Sequence, residues 1–245
     1  MRSIQPTSRF AGDDGTADAE LVRLVAGLST GTSSLREVVA RLSQTRVLVP
    51  VLAEAEATST VARDGVEHQV DSEASSGVVA LESPDGRRAL PVFSSVEAMR
   101  AWRTDARPVP VEARRAALSA VDERWSLLVL DPAGPATVLV PRPAVWALAQ
   151  GVEWVPALVP GPDGPTVDAD VARAVADAAA PVQHVVRAHA EPGRKAEVAV
   201  VLALDPGLDR AGLDTVLGQV NARLAAAKVV ADRVDSLELR IAAAR

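Results

Sequence analysis

Trp125-Ser-Leu-Leu-Val-Leu-Asp-Pro-Ala-Gly-Pro135, with the Thr137-Val-Leu-Val140 that follows, is the stretch that decides the fold. Trp125–Leu130 is a short apolar run of the length and composition of a strand. Asp131-Pro-Ala-Gly-Pro135 is turn chemistry, since Pro presets φ and Gly and Asp tolerate left-handed backbone. Thr137–Val140 therefore returns as a second strand. Pro143 near the start and Gly151 past the end then bracket a helix over Ala144–Gln150. Strand, turn, strand and helix in immediate succession point to mixed layers.

The same alternation extends upstream. Leu21, Leu24, Val25 and Leu28 recur at the spacing of one helical face. Gly31 breaks that helix. Leu35, Val38, Val39 and Leu42 form a second face, introduced by Ser34 and Glu37 in capping-box spacing. Arg46-Val-Leu-Val-Pro-Val-Leu52 reads as a buried strand, with Pro50 marking an edge or bulge. Residues 54–76 are acidic, Ser/Thr-rich and aperiodic, the pattern of a long mobile loop between paired strands. Asp85-Gly86 joins Val78–Glu82 to Arg88–Phe93 as a hairpin. Ser94 and Glu97 form a second capping-box pair before a helix carrying Val96, Met99 and Trp102. Pro108 and Pro110 punctuate, and a helix follows over Val111–Val121.

Downstream, Val159-Pro-Gly-Pro-Asp-Gly-Pro165 has the composition of a linker. A helix with Val171 and Val175, strands near Val182–Ala190 and Glu197–Leu204, a long helix through Leu213–Leu224 and a strand Ser236–Ile241 complete the chain. The fold class is α+β: two small domains, with mixed sheets and packed helices. The expected organisation is a flexible tail over 1–17, a first domain over 18–158, a linker over 159–165 and a smaller domain over 166–245.

Composition excludes whole classes of function. The chain has no cysteine, so disulfides, thiolate nucleophiles and Cys-type zinc or iron–sulfur sites are out. The net charge of −6 opposes a broad nucleic-acid surface, which needs cations to neutralise phosphate. No window is apolar enough for a membrane span. Met1–Asp18 is polar and does not read as a secretory signal, so cytoplasm is the expected location.

No residue set converges on catalysis, a metal or a cofactor. Of three histidines, His68 sits in the acidic stretch, while His184 and His189 point to opposite faces of one expected strand. Asp163, Asp168 and Asp170 read as turn chemistry followed by a helix start. Phosphate-loop and nucleophile-elbow patterns are missing. Four tryptophans remain. In a chain that is 2% aromatic they read first as core anchors. Trp and Arg also dominate binding hot spots, which makes Trp102, Arg142, Trp146 and Trp154 the candidate protein-binding surface.

Arg88-Ala-Leu-Pro-Val-Phe-Ser-Ser95, Ala101-Trp102, Leu128-Val-Leu-Asp-Pro-Ala-Gly-Pro135 and Arg142-Pro-Ala-Val-Trp-Ala-Leu-Ala-Gln-Gly151 together resemble the actinobacterial branch of the SseB family, named for enhanced serine sensitivity. Arg46-Val-Leu-Val-Pro50 matches that family's first strand. The resemblance covers about residues 19–158 and implies the N-terminal domain, followed by a smaller C-terminal one. It carries over no catalytic residue. The expected role is a non-enzymatic accessory protein that binds a protein partner. A ribosome- or translation-associated factor and an enzyme with an atypical interdomain site are the alternatives.

Overall fold

The computed structural model describes residues 10, 12–52, 79–83 and 85–242, and the backbone alone at 61–63 and 66–68. The chain divides into two compact units, Met1–Trp154 and Val155–Arg245, and its class is α+β.

The first unit opens with α1 (Ala19–Thr30) and α2 (Leu35–Leu42). Asp18 caps α1 by accepting from the Leu21 amide. Gly31, at φ +70°, ends it in the left-handed region that glycine enters freely. Ser34 and Glu37 make the reciprocal capping box of α2. Strand β1 (Arg46–Val51) follows. Strands β2 (Val61–Arg63) and β3 (Val66–His68) pair antiparallel. The rest of the stretch expected as a loop over 54–76 lies outside the described residues.

Next come β4 (Leu81–Glu82), β5 (Arg88–Val92), α3 (Val96–Trp102), β6 (Arg107–Glu112), α4 (Ala113–Asp122), β7 (Leu127–Leu130), β8 (Val138–Val140) and α5 (Arg142–Gln150). Four strands form a sheet in the order β4-β5-β7-β8. β5 and β7 are parallel, joined by the α3–β6–α4 crossover, and the outer pairs are antiparallel. β1 and β6 make a separate antiparallel ribbon. Leu48 and Phe93 exchange backbone bonds of 2.9 Å and attach that ribbon to the end of β5. The strand β6 departs from the expected punctuation at Pro108 and Pro110. Prolines are tolerated there because β6 is an edge.

Two further expectations are corrected. The tail assigned to 1–17 is pinned at its C-terminal end. Asp13 takes a bidentate ion pair from Arg46, and the Val96 amide donates to the Gly15 carbonyl at 2.9 Å. A side chain at Gly15 would run into Val96. The cap of α3 is Ser95, which accepts from the Ala98 amide; Ser94 is buried and bonds elsewhere.

The second unit begins with β9 (Leu158–Gly161) and β10 (Gly164–Val167), a two-stranded hairpin. It occupies the residues expected as a linker. Pro160 and Pro165 oppose each other in a pair with no further strand, and Gly164 turns at φ +122°. Pro/Gly-rich composition suits a tight hairpin as well as a linker, and here the chain buries Ala157 and Val167 beside it. The units divide ahead of this hairpin, after Trp154.

Helix α6 (Ala169–Ala179), β11 (Val185–Pro192), β12 (Val198–Leu204), α7 (Arg210–Ala226), α8 (Lys228–Arg233) and β13 (Leu237–Ala242) complete the unit. The sheet order is β11-β12-β13, with β12 and β13 parallel. β12 is buried along its whole length, as a continuous apolar central strand should be. Its Val198, Val200, Leu202 and Leu204 pack on Val171, Val175, Val216, Val220 and Leu224 of the helices. Asp168 caps α6 and pairs with Arg233 at 2.9 Å, which holds its carboxyl below the usual range.

Asp18 gives the first unit a pH-dependent tie. Arg41 grips both of its oxygens, and its pKa is lowered to about 2, chiefly by the hydrogen bond from Arg41. A depressed folded-state pKa contributes stability above the unfolded value, lost as pH falls through the folded one. Asp18→Asn keeps a capping oxygen and removes the charge. It should cost about 0.5–1 kcal/mol at pH 7. In urea melts the gap to wild type should shrink below pH 4 and be lost only as the pH falls below about 2; a gap independent of pH would refute the ion pair's role.

Candidate functional site

An apolar recess of the first unit follows from the composition of α4. Its inward face is Ala113, Ala116, Ala117 and Ala120, all buried. Methyl groups let α4 pack close on α5 and on the sheet, but they do not fill the space beside them. Between α4 and the β1–β6 ribbon remains a groove of about 580 Å³, within the range of ligand-accepting clefts.

Cross-strand register places Val47, Val49 and Val51 on the same ribbon face as Val111, Val109 and Arg107. Val49, Val51, Val109 and Val111 line the groove with Leu90 and the buried Trp125. Opposite them, α4 turns Arg115, Leu118, Ser119 and Asp122 along one stripe, and Glu123 follows. Val109 and Leu118 are 41% and 42% exposed. The site is thus an apolar floor with a mixed-charge rim, the anatomy of a protein-recognition patch.

The ribbon's outer edge narrows what can bind. Leu48 spends its amide and carbonyl on Phe93, away from β6. Its partner Pro110, and Pro108 opposite Pro50, therefore direct their nitrogens to the outer side. Proline has no N–H, so this edge cannot donate to an added strand at positions 108 and 110. The groove offers side chains, and not backbone donors at these two positions, to whatever enters it.

The structure separates the four residues expected as a surface. Trp146 is 46% exposed on α5. Trp102 is half-buried, its ring 5.3 Å from Phe93 and tilted by 36°. Arg142 begins α5 and is half-buried. Trp154 is only 7% exposed and belongs to the core, so it is not a surface anchor. Its indole N–H has no acceptor among the described residues. None of the four lines the groove; the tryptophan that does is Trp125. The signal missed in the sequence is Leu118, a large apolar residue on the outward side of an alanine-faced helix.

Polar groups gather at the C-terminal ends of β5 and β7. Asp131, at φ +50°, accepts from the Ser94 amide at 2.8 Å and from its hydroxyl at 2.7 Å. Burial pushes the Asp131 carboxyl up, against the two bonds from Ser94. The Ser94 carbonyl accepts from Arg46, which also holds Asp13 and the Thr16 carbonyl. The hydrogen bonds from Arg46 hold the Asp13 carboxyl below its ordinary value. Asp13, Arg46, Ser94 and Asp131 thus join four segments of the first unit. Next to them, Asp14, Thr16, Glu97 and Arg100 line a shallow recess of about 690 Å³, where the Asp14 carboxylate is taken by Thr16.

In the second unit the histidines lie apart. His184 sits before β11 at φ +70°, its Nδ1 3.2 Å from Asp205. His189 is on the strand, its Nε2 3.7 Å from Glu191. Among the described residues no three His, Asp or Glu side chains stand close enough to hold a metal ion, and no helix is long and apolar enough to cross a membrane.

The family model described as SseB protein N-terminal domain matches residues 20–147, more than half of the chain. That span includes every residue of the groove. No curated protein and no solved structure matches the chain.

Exposure and burial in the groove predict opposite responses to mutation. Leu118→Asp should change stability by no more than about 0.5 kcal/mol, since it places a charge at an exposed position. Trp125→Ala should cost about 3–5 kcal/mol by emptying the floor. Urea melts of both variants measure this; a Leu118→Asp loss as large as that of Trp125→Ala would mean that the groove is closed in solution.

Proposed function

We propose, from the premise that the chain belongs to the SseB family, that it is a non-enzymatic accessory protein that binds a protein partner through the α4 groove. The observation that carries this reading is the groove itself. Val109 and Leu118 stand open to water above an apolar floor, within the family's own domain. Such residues gain about 25 cal/mol for each Å² that a partner covers. The rim of Arg115, Asp122 and Glu123 offers both signs of charge for orientation. The proline-blocked edge favours an inserted apolar side chain or amphipathic helix over an added strand.

Exposed Trp146 provides a second, smaller apolar feature on α5. Its truncation serves as a control, because it lies outside the groove lining.

The absence of native cysteine makes Ser119→Cys a unique attachment point at the groove mouth. A photocrosslinker placed there should capture a discrete protein partner in native extract. Adding Leu118→Asp should reduce capture about tenfold or more, as loss of a central anchor does, while Trp146→Ala leaves it unchanged. Capture that is indifferent to Leu118→Asp would sink the reading.

A further inference from the structure

We propose that β13 pairs with the β13 of a second copy of this chain, antiparallel about a two-fold axis at Leu239, to make a continuous six-stranded sheet. This goes beyond the groove and rests on different residues.

β13 is the outer strand of its sheet. Val198 donates to the Ser236 carbonyl, and Val198 is in register with Leu237 in a parallel pair. The even-numbered residues of β13 therefore turn their amides and carbonyls to β12. Leu237, Leu239 and Ile241 turn theirs to the open side, which no described strand covers. Unpaired backbone groups of this kind are a template for another strand.

The two edges of this sheet are not alike. β11 ends in Pro192 and carries a bulge between Val185 and Arg187, both of which discourage pairing. β13 has neither. It exposes Leu237 at 36% and Ile241 at 53%. These two flank Leu239 on the face that packs on the helices.

The order Leu237-Glu-Leu-Arg-Ile241 is self-complementary when reversed. Hydrogen-bond parity requires odd residues to oppose odd residues across the two-fold. An axis at Glu238 would set that carboxylate against its own copy, and an axis at Arg240 would oppose two guanidinium groups. An axis at Leu239 instead sets Glu238 opposite the partner's Arg240, and Leu237 opposite the partner's Ile241. Directly opposed like charges destabilise a strand pair, while opposite charges and apolar pairs favour it. Only the axis at Leu239 satisfies all of these terms. Within the chain, Glu238 accepts from the Arg194 and Lys195 amides, and Arg240 pairs with Glu191. A carboxylate has about four acceptor sites and a guanidinium five donors, so both retain capacity for the partner.

Light scattering and sedimentation equilibrium on the full chain test the pairing. The expected result is a dimer whose dissociation constant rises roughly 10- to 100-fold in Ile241→Pro, which deletes a donor on the open side and its symmetry mate. Thermal melts confirm that the variant is folded. Leu118→Asp should leave the dimer intact, which separates this interface from the groove. Register is read by mixing Glu238→Cys chains with Arg240→Cys chains under mild oxidation. Directly opposed positions can bridge, whereas the diagonal like-with-like pairs lie about 7–8 Å apart, beyond disulfide reach. A chain monomeric at all concentrations, a dimer indifferent to Ile241→Pro, or disulfides formed mainly within each variant alone would overturn the proposal.

Discussion

The first unit depends on the shortness of the alanine side chains on α4. Ala113, Ala116, Ala117 and Ala120 are all buried, and α5 answers them with Ala144 and Ala147. The chain is 2% aromatic and must fill its interior with Ala, Val and Leu. Small residues achieve native packing density only by bringing backbones close. α4 is drawn against α5, and Arg114 reaches across to the Ala149 carbonyl at the C-terminal end of α5. A guanidinium at that pole also complements the helix dipole. The space left beside the ribbon is the cost of this packing. The groove is a geometric residue of an alanine-built interface, and larger residues at Ala116 would close it.

A polar chain holds the other end of the sheet. Asp13, Arg46, Ser94 and Asp131 link the segment before α1, the start of β1, the loop into α3 and the turn after β7. Arg46 and Asp13 are each only 14% exposed in their side chains. Removing one partner of such a pair strands the other charge, which costs more than the pair contributes. Arg46 also satisfies two carbonyls at once, a fork that lysine cannot reproduce. This places a serine beside a carboxylate at the ends of parallel strands, where open α/β sheets often bind ligands. Here the two oxygens of Asp131 accept from one residue, and that residue's carbonyl is bound to Arg46. The arrangement is a brace.

Much of the fold was legible because local signals and tertiary packing agreed. The helical stripes of Leu21–Leu28 and Leu35–Leu42, the box of Ser34 and Glu37, and the Asp85-Gly86 hairpin all stand where the sequence placed them. Disagreement arose where a residue type serves two structures. Pro108 and Pro110 read as breaks, yet an edge strand with outward nitrogens accepts them. Val159–Pro165 reads as a linker, yet the same residues close a hairpin. Ser94 and Ser95 are chemically identical candidates for a cap, and only the position of Asp131 decides between them. Trp154 reads from sequence as a core anchor or as a hot-spot residue, and its burial, a property of the fold, makes it the former. The groove was illegible for a different reason. It is made of missing volume between segments 49–51, 109–111 and 115–125, and no local pattern encodes an absence of atoms.

The exposed apolar residues of the two units ask for different kinds of cover. In the first, Val109 lies on a strand whose outer edge is stripped of donors at Pro108 and Pro110. Only side chains can shield it, and α4 supplies too little bulk to do so from within. In the second, Leu237 and Ile241 lie on a strand whose outward amides and carbonyls are intact. There backbone pairing can bring apolar cover and charge complement in a single step. An exposed valine beside a blocked edge and an exposed isoleucine on an open one have similar hydrophobicity. What differs is whether the backbone beside them can bond, and that decides which class of surface each one serves.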